Sequence, residues 1–165
     1  MSTCIALLRG INVGRAKRIA MADLRALFER LGFTQVRIVL NSGNVVFVAE
    51  RPRLRQLAAS IEAAIAAQFG FVVPVGVLTS AELDAIVAGN TLLGVASDPS
   101  RQLVAFVADQ AALQRARALL AHDWASDALA VGSQAAYLWC AHGIIESHLA
   151  QAFSRATGDT ATTRN

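Results

Sequence analysis

Apolar residues along this chain of 165 residues come in short pieces whose spacing switches between two periods. A nearly continuous run, CIALLR at 4–9, predicts a central strand. From 21 to 31 the positions Met21, Leu24, Leu27, Phe28 and Leu31 follow helical spacing, and Gly32 is placed to stop the helix. VRIVL (36–40) and VVFVA (45–49) flank the turn NSGN at 41–44, which predicts a hairpin. Leu54, Leu57, Ala58, Ile61, Ile65 and Phe69 form one helical stripe over 53–69, ended by Gly70. A strand follows at 72–78, and Pro74 inside it argues for a sheet edge.

The order β-α-β-β-α-β over about 78 residues is the split βαβ pattern. Thr79 and Glu82 then stand in capping-box spacing before Leu83, Ile86 and Val87. After a loosened stretch at 89–100, LVAFVA (103–108) reads as a strand, and Asp109 as the cap of a helix carrying Leu113, Ala116, Leu119 and Leu120. ALAV (128–131) and AYLWC (136–140) flank a second glycine-containing turn, and a helix over about 146–156 turns Leu149, Ala152 and Phe153 to one side. The pattern recurs without an evident final strand. The expectation is therefore an α+β chain of two ferredoxin-like (split βαβ) halves, 1–78 and 79–165, the second incomplete or modified with a polar C-terminal tail. The hairpins interrupt strand–helix alternation and argue against a doubly wound sheet.

Topology turns this map into a candidate site. In the usual arrangement of the pattern, the first strand lies between the third and fourth, and the first two strands run parallel through a right-handed crossover. The end of the first strand, the hairpin turn and the start of the fourth strand near 70–73 then share one end of the sheet. RGINVGRAKR (9–18) would lie beside NSGN (41–44). Gly10 and Gly14 allow a tight, anion-holding backbone. Arg9, Arg15, Lys17 and Arg18 bring charge, and Asn12, Asn41, Ser42 and Asn44 bring neutral hydrogen bonding. The same residues also suit two ordinary turns with solvated arginines.

Charge supports the location. Residues 1–55 hold ten Arg or Lys against three Asp or Glu, whereas 56–165 hold five against nine. Fourteen of the fifteen cations are arginine, which suits bidentate contact with phosphate or carboxylate and also fits an alanine- and arginine-biased composition. The glycine spacing matches neither a Walker segment nor a dinucleotide fingerprint, so no cofactor is implied. Ser42 stands in a hairpin rather than at a nucleophile elbow, and no paired carboxylates offer proton transfer, so no catalytic residue is assigned.

Cys140, His142, Glu146 and His148 crowd into nine residues, but Glu146 and His148 lie about 200° apart around a helix and do not face one metal ion. Cys4 and Cys140 sit in apolar runs and read as buried free thiols. Nucleic acid is a rival partner through phosphate contacts, although the first strand lacks aromatic rings on which bases stack. Trp124, Tyr137 and Trp139 read as core or interface aromatics, and a structural or dimerisation module, monomer or homodimer, is a third reading. No apolar stretch reaches the length of a membrane span and no secretory signal opens the chain, so a cytoplasmic protein without a membrane partner is expected.

RGINVG (9–14), MADLRALFERLGF (21–33) and SGNVVF (42–47) resemble signature blocks of the domain of unknown function 1697 (DUF1697) family. AAYLWCAHGIIESHLAQAFSRATG (135–158) and TATTRN (160–165) resemble its C-terminal blocks, so the resemblance spans essentially the whole chain. It implies a cytoplasmic α+β protein with two ferredoxin-like halves and carries no reaction. The family's polar blocks match Arg9, Gly10, Asn12, Gly14, Ser42, Gly43, Asn44, Thr162, Thr163, Arg164 and Asn165. The family commonly has glycine where Arg15 stands, and it usually continues past TTRN into a helix containing Trp and Leu. Composition alone makes 157–165 a frayed polar terminus. The resemblance implies instead that Thr162, Arg164 and Asn165 dock on the body and join the binding residues.

Overall fold

A computed structural model describes residues Met1–Asn165, which divide into two compact units, Met1–Leu83 and Asp84–Asn165. The first runs β1 (Ser2–Leu8), α1 (Met21–Arg30), β2 (Thr34–Val39), β3 (Asn44–Ala49), α2 (Leu54–Phe69) and β4 (Val75–Thr79). Its four-stranded antiparallel sheet has the order β2-β3-β1-β4. The unbroken apolar run of β1 is paired on both sides, from Ser2↔Ala49 to Leu7↔Asn44 and from Cys4↔Thr79 to Leu8↔Val75. Proline is kept off central strands because it cannot donate to a ladder. Pro74 accordingly stands just before β4, which is an edge strand.

Period-two alternation puts Cys4, Ala6, Leu8, Val45 and Phe47 on the face covered by Leu24, Leu27, Phe28, Ile61 and Ile65. Phe28 meets Phe47 edge-on at a centroid distance of 5.3 Å, and Phe33 lies 4.6 Å from Phe47. Gly70, in the left-handed region at φ 78°, ends α2 by donating its N–H to the Ala66 carbonyl.

The boundary between the units falls inside α3 (Ser80–Ala88). Its start is a reciprocal box: Glu82 Oε2 accepts from Thr79 N at 2.8 Å, while Thr79 Oγ1 accepts from Glu82 N at 3.2 Å.

The second unit continues with β5 (Gln102–Val107), α4 (Gln110–Ala118), β6 (Ala128–Val131), β7 (Ala135–Trp139), α5 (His148–Thr157) and β8 (Ala161–Arg164). The sheet order β6-β7-β5-β8 repeats that of the first unit. Here the structure corrects the sequence reading. The second half is complete, and its fourth strand is the stretch whose composition reads as a polar tail, pairing from Val107↔Ala161 to Val104↔Arg164. Ala161 enters the core and Thr162 is buried opposite Phe106. Threonine is β-branched and suits a strand, but two threonines and an arginine in four residues hide the apolar alternation that marks one.

Asp109 caps α4 by accepting from Ala112 N at 2.8 Å. Ser147 caps α5, accepting from Ala150 N at 2.9 Å while donating to Asp127 Oδ2 at 2.8 Å. Asp127 Oδ1 accepts from Ala141 N at 2.8 Å. One carboxylate thus joins the approach to β6, the segment after β7 and the α5 cap. Both cysteines are free and buried. Burial pushes each thiol pKa up; the Glu82 charge adds to this at Cys4, and at Cys140 the Ser147 hydroxyl pulls down while the Asp127 charge pushes up. Trp124 donates Nε1–H to the Leu119 carbonyl at 2.8 Å, and Tyr137 donates its hydroxyl to the Ile86 carbonyl.

Asp127→Ala removes two charge-assisted bonds and strands the hydroxyl of buried Ser147, so a loss of about 2–3 kcal/mol is expected. Urea denaturation measures it, with exposed Glu146→Ala as a control expected within about 0.5 kcal/mol of the parent.

Candidate functional site

The ladder of β1 forces three loops to one end of the first sheet. After Leu8 the chain enters 9–20, the β2–β3 hairpin turns over 40–43 at the same end, and the α2–β4 connection arrives through 70–74. Backbone bonds join them: Leu8 N donates to Gly43 O at 2.9 Å, and Arg9 N to Pro74 O at 3.0 Å. The two polar loops read from the sequence therefore meet, with the start of the fourth strand beside them.

Asn12 is the fastener. Its Nδ2 donates to the Ile19 carbonyl and to the Asn41 carbonyl, both at 3.0 Å, and its Oδ1 accepts from Ile19 N at 2.9 Å. An amide side chain offers two donor hydrogens and one oxygen, and all three functions here go to backbone. Asn12 N also donates to Lys17 O at 3.1 Å, closing the loop on itself. The residue sits at φ 55°, a left-handed conformation that asparagine tolerates better than most. Ile11 and Ile19 are buried beneath the loop, so its ends are anchored in the core while 13–18 face water.

The hairpin makes a stricter demand at Gly43, which is buried with φ 85°. A Cβ there would stand 2.8 Å from Leu8 Cβ and 2.9 Å from Ile11 Cδ1. Asn44 Nδ2 closes the turn on the Val39 carbonyl at 3.0 Å and Ser42 Oγ at 3.1 Å.

The cations follow from this frame. Lys17 Nζ donates to Val72 O at 3.0 Å, tying the first loop to the third. Arg18 Nη1 donates to Gly14 O at 3.1 Å. Arg9 is half-buried, and Arg15, Lys17 and Arg18 are exposed. Gly10 and Gly14 have positive φ with open space where a side chain would begin. No carboxylate occurs in 9–20, 39–44 or 70–75, although Asp23 lies in the first turn of α1 and Glu62 Oε1 accepts from Val75 N at 2.8 Å. Helix α1 opens beside this loop, and Ala20 gives it no side-chain cap. The rim thus gathers four cations beside the start of α1, with no carboxylate in the three loops themselves. Sequence reasoning did not see that Asn12 is wholly engaged, because an amide's partners depend on the fold.

Arg164 and Asn165 belong to the second unit. Arg164 lies in β8 opposite Val104, donates Nη1–H to Thr163 O at 3.0 Å, and has its pKa lowered by burial. Cys140 lies just past β7, fully buried, while His142, Glu146 and His148 are exposed, and no three His, Cys, Asp or Glu side chains cluster closely enough to hold a metal ion. Phe47, Tyr137 and Trp139 are buried and present no ring for a base to stack on. No helix is long and apolar enough to cross a membrane.

The family described as "Protein of unknown function (DUF1697)" matches residues 1–137, which include all three rim loops. None of the curated proteins matches the chain. Among solved structures, the conserved bacterial protein SP0830 from Streptococcus pneumoniae is similar, with a TM-score of 0.75 and 20% identity over 99% of this chain and 92% of that one. That likeness is one of fold.

Gly43→Ala adds left-handed strain to a clash with the Leu8 and Ile11 side chains and is expected to cost about 2–4 kcal/mol, against about 1 kcal/mol for Gly10→Ala, where only the φ matters. Thermal denaturation of the two variants measures the difference. Asn12→Ala breaks three bonds and is expected to lose about 2–3 kcal/mol, while exposed Ser42→Ala stays within about 0.5 kcal/mol in the same assay.

Proposed function

Since the chain belongs to the DUF1697 family, whose function is unknown, its role rests on its own residues, and we propose that it binds a small anionic or polar ligand at the 9–18 and 41–44 loops. The supporting observation is four cations, Arg9, Arg15, Lys17 and Arg18, on a loop held in one shape by the Asn12 clasp and bordered by carboxylate-free loops. Ordered cations lose less freedom on binding than those of a floppy segment. In this reading the arginines supply charge, Gly10 and Gly14 supply backbone N–H groups, and Asn12, Asn41, Ser42 and Asn44 hold the frame. No reaction is assigned, because the rim brings no acid–base pair or nucleophile together.

Titration with inorganic phosphate and glycerol 3-phosphate, followed by amide NMR shifts, is expected to move the 9–18 resonances. Arg15→Ala is expected to weaken binding about threefold to tenfold, in keeping with about 0.7–1.4 kcal/mol for an exposed charged contact. Unmoved 9–18 resonances overturn the reading. Preferential binding of single-stranded RNA, falling steeply with salt, assigns the rim to nucleic acid instead.

A further inference from the structure

The cations share the rim with three large aliphatic side chains turned to water. Val13 is 74% exposed, Leu40 is 74% exposed and Val72 is 70% exposed. Each comes from a different loop, and hydrogen bonds join those loops. Asn12, next to Val13, reaches the carbonyl of Asn41, next to Leu40; Lys17 reaches the carbonyl of Val72 itself. Scattered exposed aliphatics are ordinary, but three gathered at one end of a sheet form a surface feature. Leu40 is also left-handed, at φ 62°, a conformation that costs a leucine energy with no burial in return. Val39 beside it is 47% exposed.

We infer that this rim docks on an anionic lipid surface, with Val13, Leu40 and Val72 entering the headgroup boundary and Arg9, Arg15, Lys17 and Arg18 meeting lipid phosphates. The inference rests on the anion-binding reading and names the form in which the anion is presented. The argument is complementarity. A free small anion would satisfy the cations and leave the aliphatic tips wet, whereas an anionic bilayer satisfies both at once. A membrane span is not needed for this. A second copy of the same rim is excluded as occupant by its repelling charge. A nucleic acid offers phosphates without an apolar layer.

The test is co-sedimentation of the whole protein with vesicles of phosphatidylcholine alone and with phosphatidylglycerol added, at low and moderate salt. Binding is expected only to the anionic vesicles, and to weaken as salt rises. The triple variant Val13→Ser, Leu40→Ser, Val72→Ser changes exposed side chains only. It is expected to lose vesicle binding about tenfold while its 9–18 resonances still respond to inorganic phosphate. Arg15→Ala with Arg18→Ala is expected to lose both. Wild-type protein that responds to phosphate and ignores anionic vesicles overturns the lipid inference and leaves the ligand reading standing. Silence toward both overturns the two together. Equal vesicle binding by wild type and the triple variant overturns the role of the aliphatic tips, as does tighter binding of single-stranded RNA that the triple variant retains in full.

Discussion

Each sheet is organised around its own first strand, which must be hydrogen-bonded along both edges. In the first unit β1 pairs with β3 and β4, and in the second β5 pairs with β7 and β8. Antiparallel pairing on both sides leaves little freedom about where connections emerge. The loop leaving β1, the β2–β3 turn and the segment entering β4 have to converge. The Asn12 amide then converts convergence into a fixed arrangement, and Gly43 allows the hairpin to approach within van der Waals contact of Leu8 and Ile11. Polar loops that would otherwise be independent behave as one surface.

The repeated strand order does not carry a repeated surface. At the corresponding end of the second unit, the connection after β5 is short because Asp109 caps α4 almost at once. The first unit instead spends 9–20 on a cation-bearing loop before α1 begins. Loop length thus gives the two units different rims on a shared frame, as is common when one fold is put to different tasks. The second unit uses its polar side chains inwardly, through the Asp127–Ser147 junction.

Much of the frame was legible from periodicity. The apolar run read at 4–9 marks the central strand β1, and the hairpin around Gly43 and the Thr79–Glu82 box appear where the pattern places them. Pro74 signals the sheet edge correctly but stands before β4, which starts at 75 and not at 72. The meeting of the 9–18 and 41–44 loops was legible too, since it follows from topology. Strand β8 was not, because Thr162, Thr163 and Arg164 conceal alternation and only pairing with β5 makes the segment a strand. The engagement of Asn12 was equally hidden. Its partners lie seven and twenty-nine positions away, and no local rule selects backbone carbonyls over a ligand.

The positions of the two fourth strands have a consequence during synthesis. The first sheet has all its strands once residue 79 has been made, whereas the second must wait for 161–164, more than fifty residues after β5 begins. Throughout that interval one side of β5 has no neighbour, and an apolar strand with a bare flank invites pairing with other chains. The nascent polypeptide is therefore open to misassembly at Val104–Val107 until 161–164 has been made, after its N-terminal unit is able to close.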